Sequence, residues 1–356
     1  MESVHRKYGA ALAGDGIPLH YGDTAAEYHA VLNAAALFDR SHEGRLEFTG
    51  RDRLTIPQRM STQDVGALSP GEGSATLFLT PNARILDRVV IINLGERALA
   101  LTEPGRGSAF AGFLQRNIFF NDEMHVRDLG TDTAAFALHG RMADAVMAAV
   151  APGLDALPLF GGREITIAGA VVLAVRMKPL HESAWSLIIP RSAGEAVYEE
   201  LLAIGRAYGL QPAGSLAYNM LRIHAGRPAA GRELSTEYIP LEVGLWDEVS
   251  FSKGCYTGQE IIARMESRGR LARTMMRVRL SAFINPPSAL SADGKEAGML
   301  TSAVTLPDGT HIGIVVVRMV YAQPGRLLMA GDVEVHLEAY AGAQPVGLRI
   351  EDGADG

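Results

Sequence analysis

Apolar residues recur along this chain in two rhythms, one of three to four residues and one of two. The order in which the rhythms alternate predicts its elements. Thr24-Ala25-Ala26-Glu27 reads as a capping box with Thr24 as N-cap. Tyr28, Val31, Leu32 and Ala35 follow at helical spacing. Arg45 to Phe48 then alternates as a strand and is closed by Gly50. From there a unit of strand, Gly-Arg, helix, three strands and helix occurs twice. In the first copy a helix is expected over Asp52 to Met60, strands over Ala75–Leu79, Ile85–Leu94 and Ala98–Thr102, and a helix over Ser108–Ile118. In the second, a strand over Ala134–Leu138 ends in Gly140-Arg141, and a helix covers Met142–Val150. Strands Glu164–Ile167, Val171–Val175 and Trp185–Ile189 come next. Ser192-Ala193-Gly194-Glu195 caps a helix with Val197, Leu201, Ile204 and Tyr208 on its apolar face, stopped by Gly209.

The two copies match in order rather than in residue identity. They predict two related α+β subdomains with a cleft between them, a common setting for small-molecule pockets. Leu216, Met220 and Ile223 mark a further helix ending at Gly226. Beyond Arg273 short alternating segments dominate: Met275–Leu280, Met299–Thr305, Ile312–Val320 and Val333–Ala339, broken by Pro286-Pro287 and Asp308-Gly309. These predict a small antiparallel β-barrel. The expected domains are a body over residues 1–272, halved roughly into 1–130 and 131–272, then a barrel over 273–350 and a frayed polar tail over 351–356.

Composition narrows the classes. The chain has 356 residues, 47% hydrophobic and 21% charged, enough to bury a large core. A net charge of −7 argues against a general nucleic-acid coat. A single cysteine excludes an intramolecular disulfide and points to a reducing compartment. The N-terminal residues lack the apolar core of a secretory signal, and no apolar run nears the ~20 residues that span a bilayer. A soluble cytoplasmic protein without a membrane partner is the expectation.

That cysteine lies in Lys253-Gly254-Cys255-Tyr256-Thr257-Gly258-Gln259-Glu260, just before a helix-like segment. A helix N-terminus stabilises a thiolate, and Lys253 adds positive charge if it points the same way. The alternative is a small buried hydrophobe in a helix cap. Arg222 interrupts an apolar helical face and could fork onto a carboxylate or a heterocycle's polar edge, or else neutralise the helix C-terminus or pair with Glu233, Glu237 or Glu242. Asp87 stands in the apolar strand Ile85-Leu86-Asp87-Arg88-Val89-Val90. Facing inward it would be costly unless paired or functional, and facing outward it would be solvated. Arginines 264, 268, 270, 273, 277 and 279 face one acidic residue, Glu266, in their segment. They form either a patch for RNA or a polyanion, or a solvated face with internal salt bridges. No HExxH, Walker loop, CxxC or dinucleotide fingerprint occurs, so no metal site is expected.

Lys253 to Glu260 resembles the KGCxGQE signature of the YgfZ-type folate-binding proteins, relatives of the glycine cleavage T-protein in the GcvT superfamily. The resemblance extends to Leu221-Arg222-Ile223-His224-Ala225-Gly226, Tyr238-Ile239-Pro240-Leu241-Glu242, Thr301-Ser302-Ala303, His20-Tyr21-Gly22 and Phe38-Asp39-Arg40-Ser41. It implies an α+β fold of two duplicated ferredoxin-like subdomains around a central folate channel, plus a C-terminal antiparallel β-barrel. It assigns the reactive thiol to Cys255, with Lys253 beside it. Asp87 matches an aspartate linked to folate's reactive nitrogens, although Arg88 stands where T-proteins have a second aspartate. Arg222, Glu182, Asp87, Tyr238 and Gln259 would line the site for tetrahydrofolate or a one-carbon derivative. His224 replaces the family's common glutamate.

The resemblance implies an accessory protein for iron–sulfur cluster assembly or repair, and hence for cluster-dependent tRNA modification. Its partners would be iron–sulfur enzymes or assembly proteins, with tRNA contact through Arg264–Arg279. The competing expectation is a tetrahydrofolate-dependent aminomethyltransferase or demethylase moving a one-carbon unit. A third is an RNA- or partner-binding module.

Overall fold

The computed structural model describes residues 1–268 and 271–344. The expected tail over 351–356 lies outside them. The chain divides into two compact units. The first comprises Met1–Gln58, Asp64–Thr76 and Val89–Leu221. The second comprises Arg59–Gln63, Leu77–Arg88 and the chain from Arg222 onward.

In the first unit a six-stranded sheet runs in the order Gly162–Ile167, Ala170–Arg176, Ala184–Pro190, Thr133–His139, Ala35–Asp39 and Leu210–Ala213. Only the last pair is parallel. Alternation along a strand sends successive side chains to opposite faces. Val172 and Ala174 therefore join Leu37, Phe136, Leu138, Trp185 and Leu187 in a core with Val146, Met147, Val197 and Leu201 of the helices Ala143–Val150 and Gly194–Gly205. Leu173 and Val175 face the other way, into a core with Val90, Ile92, Leu99 and Ile188. A sheet buried on both faces reads as nearly continuous apolar runs, which these strands are.

A five-stranded sheet has the order Gly73–Leu79, Ile85–Asn93, Arg97–Pro104, Glu43–Thr49 and His125–Asp128. Residues 77–79 and 85–88 of its first two strands count with the second unit. Both sheets place three consecutive strands beside the strand that opens the copy. The internal duplication is thus present in strand order, and the helices Gly107–Gln115 and Gly194–Gly205 close the copies.

The second unit carries a closed antiparallel barrel: Arg273–Leu280, His311–Arg318, Lys295–Thr305, Ser288–Ala292, Leu327–Ala330 and Val333–Tyr340, the last pairing back to the first. Its interior holds Met276, Val278, Leu300, Val315, Val317 and Leu337. Closure removes the exposed edges that a small sheet would otherwise present. A second cluster gathers Leu77, Ile85, Ile223, Leu241, Tyr256, Ile262 and Met275 around the candidate site.

Several local expectations are corrected. Asp23, not Thr24, caps the helix Thr24–Asn33, its carboxylate accepting from the Ala26 N–H at 2.9 Å. Glu27 instead accepts from the Tyr21 and Gly214 N–H groups, and burial raises its pKa. Ala35 belongs to a strand rather than the helix face, because Ala34 leaves helical geometry at φ −143°. The helix expected from Asp52 contracts to Thr55–Met60. Ser192 caps nothing. A 3-10 turn over Arg191–Ala193 leads into Gly194–Gly205 with Ala193 as N-cap and no side-chain cap bond. Leu216 is exposed, while Ala217, Tyr218 and Leu221 form the buried face of Ser215–His224. Among the described residues no helix is long and apolar enough to cross a membrane.

Candidate functional site

The site residues of the second unit are fixed by the start of the strand Ile85–Asn93 and by two loops. The strand is apolar enough to be driven inward, and it takes two charges with it. Asp87 and Arg88 are 6% and 7% exposed. This corrects the outward, solvated alternative for Asp87. Two charges in a low-dielectric setting need partners or a task. Arg88 has Glu248: Nε donates to Oε2 at 2.7 Å and Nη2 to Oε1 at 2.6 Å. Such a fork is the geometry in which arginine binds carboxylate best.

The segment Ser61–Gln63 is tied to the same loop. The Thr62 hydroxyl donates to the Glu248 carbonyl at 2.7 Å and accepts from the Leu77 N–H at 3.0 Å. The Ser250 N–H donates to the Thr62 carbonyl at 2.9 Å. Lys253 Nζ donates to the carbonyls of Ser61 at 2.7 Å and Gln63 at 2.9 Å, and stands 5.3 Å from the centre of the Tyr256 ring. Lys253 is therefore buried and turned to these carbonyls. The Ser61 hydroxyl is fully buried and has no hydrogen-bond partner among the described residues.

Cys255 is exposed, which overturns its reading as a small buried hydrophobe. The helix Gln259–Arg268 begins four residues later, with Gln259 half-buried at its first position. Tyr256 packs inward, and burial pushes its phenol up to about 12.

Arg222, near the end of the helix Ser215–His224, is buried. Its Nη2 donates to Ser302 Oγ at 3.0 Å, and its Nη1 lies 3.8 Å from Glu233. Glu233, wholly buried, also accepts from Thr301 at 2.5 Å, Ser302 at 2.7 Å and the Ala229 N–H at 3.0 Å. Of the three partners considered for Arg222, Glu233 is the one it meets. Tyr238 is buried under the Arg273 guanidinium, 5.0 Å from its ring centre, and burial raises its pKa. Its carbonyl accepts from the Ile85 N–H at 3.1 Å, two residues before Asp87. Glu242 anchors this turn by accepting from Arg273 at 3.1 Å.

Glu182 belongs to the first unit. It is half-exposed, has a φ of 52°, and lies 3.6 Å from His181. Of the arginine-rich segment, Arg273 pairs with Glu242 and Arg279 with Glu338, while Arg277 donates to the His224 carbonyl. These contacts fit the internal salt-bridge alternative. Arg270 and the Arg268 side chain lie outside the described residues. No group of three or more His, Cys, Asp or Glu placed to hold a metal occurs among the described residues.

Sequence reasoning missed Glu248, Ser61 and Thr62. Arg88 and Glu248 are 160 positions apart, so no local spacing reports the pair. The usable signal was Arg88 itself, a charge in an apolar strand that had to find a buried carboxylate.

The profile of the GCVT N-terminal domain matches residues 2–253. A chloroplastic protein of Arabidopsis thaliana, provisionally named a transferase, is 30% identical over 91% of this chain and 74% of its own length. An aminomethyltransferase of Chlorobium phaeovibrioides is 28% identical over 91% of each chain. Another, from Streptomyces coelicolor, is 28% identical over 96% of this chain and 94% of its own. Among solved structures, the glycine cleavage system aminomethyltransferase T from Bartonella henselae superposes with a TM-score of 0.83 at 21% identity, covering 95% of both chains. That likeness is one of fold.

Proposed function

We propose, because this chain belongs to the GCVT N-terminal domain family, that it is a tetrahydrofolate-dependent transferase of one-carbon units, acting on an amine donor as aminomethyltransferases do. One observation carries the reading. The chain holds the Asp87 carboxylate 6% exposed in an apolar strand, next to the buried Arg88–Glu248 pair. A buried carboxylate that a pure folding unit would shed is worth keeping for chemistry.

The donor set fits a reduced folate. Its ring system presents several N–H groups and a carbonyl, and the chain offers a buried carboxylate at Asp87 and, at Ser61, a buried hydroxyl that itself has no partner among the described residues. When bound, tetrahydrofolate supplies the ring nitrogens that accept the one-carbon unit. Asp87 would orient such a nitrogen and hold its proton. Lys253 and Thr62 keep the Ser61 segment in place. Arg222, held by Glu233 and Ser302, would set its guanidinium at a polar edge of the ligand. Tyr238 and Gln259 would line the same site.

Incubation with tetrahydrofolate and a panel of aminomethyl and methylamine donors tests the reading, with methylene-folate sought from the former and methyl-folate from the latter. Product formation is expected, with Asp87→Asn slower by about 10²–10⁴-fold. Absence of any folate product together with absence of folate binding overturns it.

A second reading follows the YgfZ-like motif: service to iron–sulfur cluster assembly or repair, and so to cluster-dependent tRNA modification. The exposure of the one thiol, Cys255, favours it. Cys255→Ala should then fail to complement an assembly defect while keeping its folate affinity. Full complementation by that variant removes this reading.

A further inference from the structure

The first unit contains a cavity of about 480 Å³ that no part of the folate chemistry uses. Glu2, Asp15, Asp39, Ser41, His42 and Arg191 line it. The volume lies in the range of small-molecule sites. Its floor is rigid. Asp39 Oδ2 lies 2.7 Å from His5 Nε2, and Asp39 Oδ1 accepts from the Ser41 N–H at 2.8 Å. His5 Nδ1 in turn meets the Tyr21 hydroxyl at 2.8 Å, and Tyr21 meets Tyr198 at 2.8 Å.

Two side-chain groups on this lining, one buried and one exposed, have no protein partner among the described residues. The Nδ1 atom of His42 is buried and has no hydrogen-bond partner among the described residues. The Arg191 guanidinium, at the turn leading into the helix Gly194–Gly205, makes no ion pair or hydrogen bond with any described residue, although Glu2 and Asp15 line the same cavity. Those two carboxylates are otherwise engaged only lightly. Glu2 meets Arg6 at 3.4 Å on the surface, and Asp15 accepts from the Ile17 N–H at 3.2 Å. Positive and negative groups thus share one cavity without neutralising each other.

From this arrangement we infer a second ligand site, for a small zwitterion of the α-amino-acid class. Arg191 receives the carboxylate, with the His42 ring on the lining, and Asp15 and Glu2 receive the ammonium group. An arginine fork onto a carboxylate fixes orientation as well as charge. A ligand with either charge alone leaves one half of the lining unmatched. The site uses no residue of the folate reading, so it stands or falls separately.

Isothermal titration with glycine, alanine and glutamate, set against acetate and methylamine as the two half-ligands, is the test. At least one amino acid should bind in the millimolar range or tighter, and each half-ligand about tenfold or more weaker. Arg191→Ala should weaken the amino acid about tenfold, equivalent to roughly 1.4 kcal/mol, with no change in melting temperature or in tetrahydrofolate-dependent turnover. His42→Gln should weaken it as well. If that variant unfolds, the exposed Arg191 decides alone. The inference is overturned if no amino acid binds the wild type, if the half-ligands bind equally well, or if Arg191→Ala binds like the wild type.

Discussion

Arg88 and Glu248 form a two-point fork at 2.7 and 2.6 Å, with both side chains less than a tenth exposed. The pair joins the strand that carries Asp87 to the loop that leads to Cys255. Breaking a buried pair from one side leaves an uncompensated charge, at a cost of about 3–5 kcal/mol. Arg88→Met should therefore lower the urea midpoint sharply. The double variant Arg88→Met with Glu248→Leu should recover much of that loss, since apolar replacement of a whole pair is often neutral. Additive losses in the double variant would show that the fork contributes through something other than mutual neutralisation.

His5 and Asp39 give the first unit an acid-sensitive contact. Burial works against the Asp39 charge, but the bonds from His5 and Ser41 outweigh it and hold the carboxyl below its usual 3.8. Folding then favours the ionised form, so the unfolded chain binds more protons in this window. The stabilisation is complete above the unfolded value and is lost as pH falls below it. Denaturation at a series of pH values should show stability dropping from about pH 4 downward. Asp39→Asn should be less stable at neutral pH and flatter on the acid side.

The barrel was legible because strands such as His311–Arg318 and Val333–Tyr340 announce themselves by β-branched content and alternation. Ser288–Ala292 and Leu327–Ala330 were not, being short segments whose place is set by neighbours on either side. The duplication showed in element order and reappears as the shared strand order of the two sheets. Capping was misread at Asp23 and Thr24 because adjacent residues are both good caps and only the backbone entry angle chooses. In the site, motif residues located the right loops but not their side chains. Lys253 follows the carbonyls of Ser61 and Gln63, contacts 192 and 190 positions away that no periodicity encodes.

Gly258 precedes the helix Gln259–Arg268 with a φ of +84°, where a side chain is strained. A Cβ there would stand 2.9 Å from the Ala83 Cα and 3.0 Å from the Thr80 carbonyl oxygen, both backbone atoms that cannot swing aside. Gly258→Ala should cost about 1–3 kcal/mol from strain alone. It should also raise amide exchange in the turn at residues 80–84. A wild-type exchange pattern would mean that this contact does not set the position of the helix.

Cys255 is exposed on a loop whose neighbours, Lys253 and Tyr256, are anchored inward. A thiol reagent should therefore modify one equivalent per chain in the native protein, without denaturant, and Cys255→Ser should abolish the signal. Because the side chain makes little of the core, the labelled protein should keep the melting temperature of the unlabelled one. Labelling that appears only in denaturant would return the cysteine to a structural role.

Tyr256 supplies the opposite pH signature. Burial pushes its phenol from the usual 10 up to about 12, so the folded state favours the neutral form. That contribution is fully present below pH 10 and is lost as pH rises from 10 through about 12, where the folded chain must ionise a buried group. Other tyrosines are raised as well, Tyr238 and Tyr340 among them, so the measurement has to be a difference. Ultraviolet titration of wild type against Tyr256→Phe should lose one phenol ionising near pH 12. The stability of the variant should fall less steeply between pH 10 and 12 than that of the wild type. If the two proteins lose stability in parallel, Tyr256 is hydrated in solution, and the inward packing that leaves Cys255 facing outward beside it does not hold.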